Sequence, residues 1–467
     1  CPLDGQARGC RPTPAMEGND MMRTLIKKTI AVTGLLVMVA VCLMSASVQA
    51  AGDWTVNAAG GGDFLTIQEA LDSASVLDGD TINVTAASYL SVDAIDVNKE
   101  VSIVGSGAGQ TIIRRNFDGV SRYASVFDVT ADNVTISNMT VGGTNIYTED
   151  GGVMTDSKGY VIGHSSGWTS ADNLTVSGVH FDGGRSAVLA AGDNFTMTNS
   201  KVTGRWMRAS VRLDGENFDV SHNSFEGLHY QYGPVYLSES APVSGTISYN
   251  YMANGANPGY FKSSGNVFTI EAYNENIAEG GIVISHNTID ASKNFTTNVK
   301  AGGDGLTRWA IYGELFETPD GGTWNPDEIV VRDNIIYGFT HDSAVTSDEG
   351  AGLYVYANTD SIDYVEIDNN LFFANDSDAT VWYKETNDEW VSVTGTGQNP
   401  VSGDPLFAAT GSELEDYFAL WVGSPALNAA SDGTHVGAYQ GEPVPEPATM
   451  GLLGLGGLVL AGRKKRA

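Results

Sequence analysis

The apolar residues of this chain recur in a short unit rather than in long runs. Residues 217–225 read Asn-Phe-Asp-Val-Ser-His-Asn-Ser-Phe, and equivalent stretches align on the second apolar residue. These anchors are Ile136, Val176, Met197, Val220, Ile247, Ile284, Val331 and Ile367. Two residues before them stand Val134, Leu174, Phe195, Phe218, Gly245, Ile282, Ile329 and Val365, apolar except for Gly245. Five residues after them stand Val141, Phe181, Val202, Phe225, Met252, Ile289, Ile336 and Phe372. A two-residue apolar period predicts a strand with one buried face. The last five units carry Asn three residues after the anchor: Asn223, Asn250, Asn287, Asn334 and Asn370. Asn tolerates the left-handed conformation, so it is expected to form a one-residue corner before the next inward side chain.

The anchors are 40, 21, 23, 27, 37, 47 and 36 residues apart. A floor of 21–23 with variable excess is the signature of a solenoid turn of fixed circumference with loops let out at its corners. The 40-residue gap holds either one long loop or a coil that the pattern does not show. Thr, Val, Ser, Asn and Gly dominate and helix formers are sparse. The expected fold is therefore all-β: a parallel β-helix, right-handed by the general preference of crossover connections, with eleven to thirteen coils.

The regions flanking the repeat divide the chain further. Residues 1–20 do not open on Met and read as leader sequence outside the native protein, with Met21 or Met22 as the start. Residues 21–50 carry Arg23, Lys27 and Lys28, an apolar run over 30–44 and small residues ending at Ala50. That is the layout of a secretory signal peptide, to be removed by signal peptidase. All three cysteines, Cys1, Cys10 and Cys42, fall before the expected cleavage point, so the mature chain would hold no disulfide. Within 51–440, Trp54–Val56, Thr81–Val84 and Val101–Gly105 read as strands. Leu65, Ile67, Ala70, Leu71 and Ala74 have near-helical spacing and predict a short helix capping the open N-terminal end of the solenoid.

Three segments near the start, 63–72, 79–84 and 99–105, resemble the N-terminal cap and first coils of the pectin-lyase-like right-handed parallel β-helix superfamily. Asp404-Pro-Leu-Phe, Gly423-Ser-Pro-Ala-Leu-Asn-Ala-Ala and Gly437-Ala-Tyr resemble the closing segment of secreted bacterial members. The resemblance implies a fold and no single activity, because this architecture hosts lyases, hydrolases and adhesins. Residues 441–467 resemble a PEP-CTERM sorting signal: Pro445, Glu446 and Pro447, an apolar stretch over 448–461, then Arg463, Lys464, Lys465 and Arg466. The stretch is short for a permanent span and suits transient membrane insertion, with the basic cluster on the cytoplasmic side. The resemblance implies export in a Gram-negative bacterium, processing by an exosortase-type enzyme, and delivery to the outer surface or extracellular matrix.

Charge narrows the partners. The chain has 25 Lys and Arg against 56 Asp and Glu, net −31. Without residues 1–50 and the C-terminal signal there remain 16 against 52, near −36. Such a surface repels nucleic acid, which is not an expected partner.

One cationic, aromatic region stands out. Val188-Leu189-Ala190, Val211-Arg212-Leu213 and Val235-Tyr236-Leu237 recur at intervals of 23 and 24, which predicts Leu189, Arg212 and Tyr236 in one outward column. Around it lie Arg205, Trp206, Arg208, Tyr230 and Tyr232, and an extended strand would put Trp206, Arg208, Ser210 and Arg212 on one face. Later coils add Tyr312, Tyr354, Tyr356, Trp382 and Tyr383. Aromatic faces stack on sugar rings and Arg pairs with carboxylate or sulfate, so Trp206, Arg208, Arg212, Tyr230, Tyr232 and Tyr236 are the expected saccharide-binding residues. The leading expectation is an exported surface or matrix protein that engages extracellular polysaccharide.

Enzymatic alternatives are a polysaccharide lyase or a glycoside hydrolase. A lyase needs a carboxylate-bound cation, with Ca²⁺ the expected cofactor, and a base, for which Arg208 or Arg212 are the candidates. No tight Asp cluster falls in register with them. Asn358-Thr-Asp360 matches one motif of polygalacturonases, but the companion motifs are absent. His222 and His286 share one repeat position, which argues for a corner role, and His164 has no Cys or His partner at ligand spacing. Asp376-Ser-Asp378 and Asp348-Glu349 lack any known Ca²⁺-loop spacing. No metal ligands are assigned. A structural matrix protein or adhesin is the third expectation.

Overall fold

In the computed structural model the alternating positions become three long sheets. The chain divides into two units at Ala51/Gly52, and the description concerns the second. The structure describes residues 51–145, 147–150, 153–164, 168–226, 228–229, 233–237, 242–253, 268–273, 277–290, 309–316, 329–338, 351–357, 365–375, 377–384, 390–394, 399–409 and 414–445. Sheet A has eleven strands from Asp53–Val56 to Val365–Asp368, sheet B ten from Ala87–Ser91 to Leu371–Phe373, and sheet C eleven from Ile95–Val97 to Trp390–Thr394. Every pairing within the three is parallel except that of Ser377–Lys384 with Trp390–Thr394. The result is a right-handed parallel β-helix with a short N-terminal helix.

The anchors form one column of sheet A, Ile136 on Val176, then Met197, Val220, Ile247, Ile284, Val331 and Ile367. The residues five positions on form a column of sheet B, from Val141 and Phe181 to Phe372. Both columns face one continuous core, and all anchors but Ile367 are fully buried. Trp54, Ile82 and Ile103 extend the anchor column by three rungs at the N-terminal end. Ile136 pairs directly with Val176, so the 40-residue gap is a single excursion, in which Tyr147–Asp150 and Val153–Ser157 form an antiparallel hairpin.

The corner is not where the Asn pattern puts it. The left-handed residue lies two after the anchor: Asn138, Asn199, His222, Tyr249, His286, Asp333 and Asn369 have φ of 51–58°, and Gly178 has 64°. The Asn that follows is buried and does different work. Its Nδ2 donates to the Oδ1 of the next Asn along the helix, at 3.0–3.1 Å from Asn223 through Asn250, Asn287 and Asn334 to Asn370. The backbone N–H of each of the first four donates to that same Oδ1 at 2.9–3.0 Å. Turning the chain one residue early aims the amide into the core, where it bonds the rungs on either side.

The helix α1 (Ile67–Asp72) is shorter than its pattern. Thr66 and Glu69 close a capping box at its start, and Ser73 leaves the helix in an extended conformation. Ile67, Ala70 and Leu71 join the core, while Leu65 and Ala74 stay exposed. At the other end a second apolar cluster, including Leu420, Ala426 and Val436, packs the closing segment onto Ile335 and Leu371.

Candidate binding site on the outer face of sheet C

The predicted column exists as a register. Leu189 pairs with Arg212 and Arg212 with Tyr236, and the line continues through Thr269, Tyr312 and Tyr354. Tyr356 and Trp382 are likewise in register with each other. Toward the N-terminus the same line reaches Asp128, opposite Gly163, and then Asp96. One edge of this face is therefore acidic and its middle cationic.

Arg212 is the centre of the face. Its guanidinium carbon lies 4.7 Å from the Trp168 ring centroid and 4.9 Å from that of Tyr236, so the cation contacts two rings. Each stack contributes roughly 0.5–2 kcal/mol, the larger figure applying where water is excluded. A guanidinium that rests on aromatic rings can still meet a carboxylate or sulfate through its in-plane N–H groups. Leu189 and Tyr236 are buried, and Arg205, Arg208 and Arg212 are half-buried. The backbone N–H of Arg208 donates to the Arg185 carbonyl one rung away. Arg185, buried, stacks on Tyr123 at 5.6 Å.

Trp206 does not belong to this face. It is fully buried, the largest such side chain among the described residues, and its Nε1–H donates to the Thr203 carbonyl. The expected shared face of Trp206, Arg208, Ser210 and Arg212 requires continuous extended chain. Only Arg205–Trp206 and Val211–Leu213 are strands, and the bend between them breaks the alternation. Tyr230 and Tyr232 lie outside the described residues, as do Asn358-Thr-Asp360 and Asp348-Glu349.

Three residues on or beside the face escape a repeat-based search. Trp168 sits in the 40-residue gap, just before Thr169, which bridges Ala190, and no repeat unit in the sequence marks that position. His164 Nδ1 lies 2.5 Å from Asp128 Oδ1, a carboxylate partner remote in sequence. Asp128 itself had a signal: Ile95-Asp96-Val97 and Phe127-Asp128-Val129 share one pattern and pair in register. The Asp96 carboxyl, on an otherwise solvent-open residue, is pushed up by partial burial and then by Asp128 and Asp72. Buried Arg115 donates to the Ser125 and Val92 carbonyls beside this acidic edge. Burial pulls its pKa down, against the fields of Asp93, Asp128 and Asp96. Among the described residues no group of three or more His, Cys, Asp or Glu is placed to hold a metal ion.

Residues 443–466 match the PEP-CTERM protein-sorting motif. The chain carries a PEP-CTERM sorting signal. It is thus an exported protein, processed by an exosortase-type enzyme. The signal's apolar and basic parts, from Glu446 on, lie outside the described residues. No curated protein matches the sequence. Among solved structures, this PEP-CTERM protein is similar to the mannuronan C-5 epimerase AlgE6 A-module of Azotobacter vinelandii, at 14% identity over 73% of this chain and 94% of that one, TM-score 0.40. It is also similar to a GH87 alpha-1,3-glucanase catalytic domain, at 12% identity over 77% and 69%, TM-score 0.39. Pectin methylesterase PemA of Erwinia chrysanthemi matches at 10% identity over 76% and 89%, TM-score 0.31. Likeness at this level carries no residue role across.

Proposed function

We propose that this PEP-CTERM protein resides at the outer surface or in the extracellular matrix of a Gram-negative bacterium and engages an acidic polysaccharide along sheet C. The carrying observation is Arg212 in contact with the rings of Trp168 and Tyr236, with Arg185, Arg205 and Arg208 nearby, on a chain of net charge −31. A cation already packed against two rings loses little freedom when it meets a carboxylate. The test is titration of the protein with uronate, sulfated and neutral oligosaccharides, with Ca²⁺ and with chelator. Acidic glycans are expected to bind, and Arg212→Ala to weaken them about tenfold, the equivalent of 1.4 kcal/mol. No affinity for any acidic glycan would leave a purely structural matrix protein or adhesin.

A second reading, a polysaccharide lyase or hydrolase, is favoured by the Asp128–His164 pair at the acidic edge of the same face. A carboxylate that orients an imidazole prepares it for proton transfer. Unsaturated or reducing ends that accumulate with the native protein and vanish with His164→Ala would establish that reading. Binding without product supports the binder.

A further inference from the structure

Sheet A carries a second groove, independent of the Arg212 face. It crosses three rungs, has a volume of about 570 Å³, and is lined by Asp219, Ser221, His222, Thr246, Ser248 and Tyr249 among others. That is within the roughly 300–1,000 Å³ of small-molecule sites.

The groove originates in an irregularity of the repeat. Gly245 is the single non-apolar residue two before an anchor. The pairing of Val243–Ser248 with Ile277–Ser285 shifts register between Val243 and Gly245. Gly245 has φ +148°, and a Cβ there would meet the Phe218 carbonyl oxygen at 2.2 Å, so no other residue fits. On the next strand Gly280, at φ +97°, also lines the groove. Gly245 lets the strand close onto the Phe218 backbone, while the register shift and the open space at Gly280 leave a recess in an otherwise regular face, a device that re-aims side chains next to sites.

The lining selects a chemistry. Two outward columns of short hydroxyls run up to it in register: Thr135, Thr175 and Thr196 lead to Asp219 and Thr246, while Ser137, Ser177 and Thr198 lead to Ser221 and Ser248. Rung spacing is about 4.8 Å, so donors and acceptors repeat along the axis. Among the described residues no Lys or Arg lines the recess, and the one carboxylate that does is Asp219. An anionic ligand would be repelled, whereas vicinal sugar hydroxyls donate well to a carboxylate. His222 and Tyr249 line one side, and Tyr249 stacks on His222 at 5.0 Å and on His286, beyond the lining, at 4.7 Å. Burial, then Asp432 and Asp333, pushes the Tyr249 phenol up, so it remains a donor.

We propose that this groove binds a neutral saccharide, laid across the rungs of sheet A beside the His222–Tyr249–His286 column. The site is distinct from the acidic-glycan face and does not depend on it.

The test is calorimetric titration of the full-length protein with cellohexaose, maltohexaose and laminarihexaose, alone and with saturating hexagalacturonate. At least one neutral hexasaccharide is expected to bind, with an affinity unchanged by the acidic competitor. Thr246→Trp, which fills the recess from the sheet face, is expected to weaken it at least about tenfold. Asp219→Asn, a nearly isosteric change on the surface, is expected to weaken it about threefold or more with an unaltered melting temperature. No binding of any neutral hexasaccharide at millimolar concentration overturns the proposal. So does displacement by hexagalacturonate, which would put the sugar on sheet C, or undiminished binding in the Asp219→Asn variant.

Discussion

Asn287 accepts at Oδ1 from the backbone and side chain of Asn250, and its own amide donates to Asn334 Oδ1 and to the Ile247 and Ser285 carbonyls. An Ala there strands buried groups on both sides. Each unmet buried group costs about 1–3 kcal/mol, so Asn287→Ala should lose about 3 kcal/mol or more. Asn370 ends the ladder: it receives two bonds from Asn334 and gives one to Val331. Asn370→Ala should therefore cost less, and denaturant unfolding of both variants checks the order. The repeated Asn is conspicuous in the sequence because stacking requires the same amide on every rung. The left-handed residue before it has no such requirement, and Asn, Gly, His, Tyr and Asp all serve. What recurs is the buried partner of the corner, so the corner lies one residue before the position that the Asn pattern marks.

At the scale of elements, each end of the solenoid is fastened by one carboxylate. Asp80 accepts from Gly52 N, Trp54 Nε1 and Leu77 N at 2.6–2.9 Å, tying the first strand to the turn after α1. Burial pushes this carboxyl up, but the bonds from Leu77, Trp54 and Gly52 outweigh it and hold the pKa below 3.8. A depressed folded pKa means stability that is present above the unfolded value and lost as pH falls through the folded one. Amide exchange across 52–84 should accelerate below about pH 4, before the central coils respond. If the centre opens first, the cap is not the acid-labile part. At the far end Asp333, fully buried, accepts from Ser431 N and Oγ at 2.7 and 2.6 Å. Asp333→Ala should release the closing segment, seen as faster exchange over 424–440. These fastenings were only half legible. The capping helix and closing segment show in the pattern of apolar residues and Gly. Their partners, Asp80 and Asp333, are single polar residues that only the winding of the chain brings into contact. The same holds for Trp168 and His164: the repeat places Arg212 and Tyr236 in register, but the insertion between Gly163 and Thr169 hides the pairing of its flanks from the sequence.

At the scale of the whole molecule, charge and site oppose each other. A chain of net charge −31 repels an acidic polysaccharide at a distance, while under the proposed function the Arg212 region attracts it on contact. The two effects differ in range. The Debye length falls from about 30 Å at 0.01 M salt to about 10 Å at 0.1 M, which removes most of the long-range repulsion. Contacts at hydrogen-bond distance from a half-buried guanidinium are screened far less. Encounter is governed by the long-range field and residence by the contacts. The association rate for an acidic oligosaccharide should therefore rise with salt over this range, the reverse of ordinary steering between opposite charges. The dissociation rate should change little. Arg212→Ala should keep the rising association rate and shorten the residence time. Surface plasmon resonance at 0.01, 0.03 and 0.1 M salt separates the two constants. An association rate that falls with salt would show that a net positive field guides the ligand, and that the acidic surface lies too far from its path to matter.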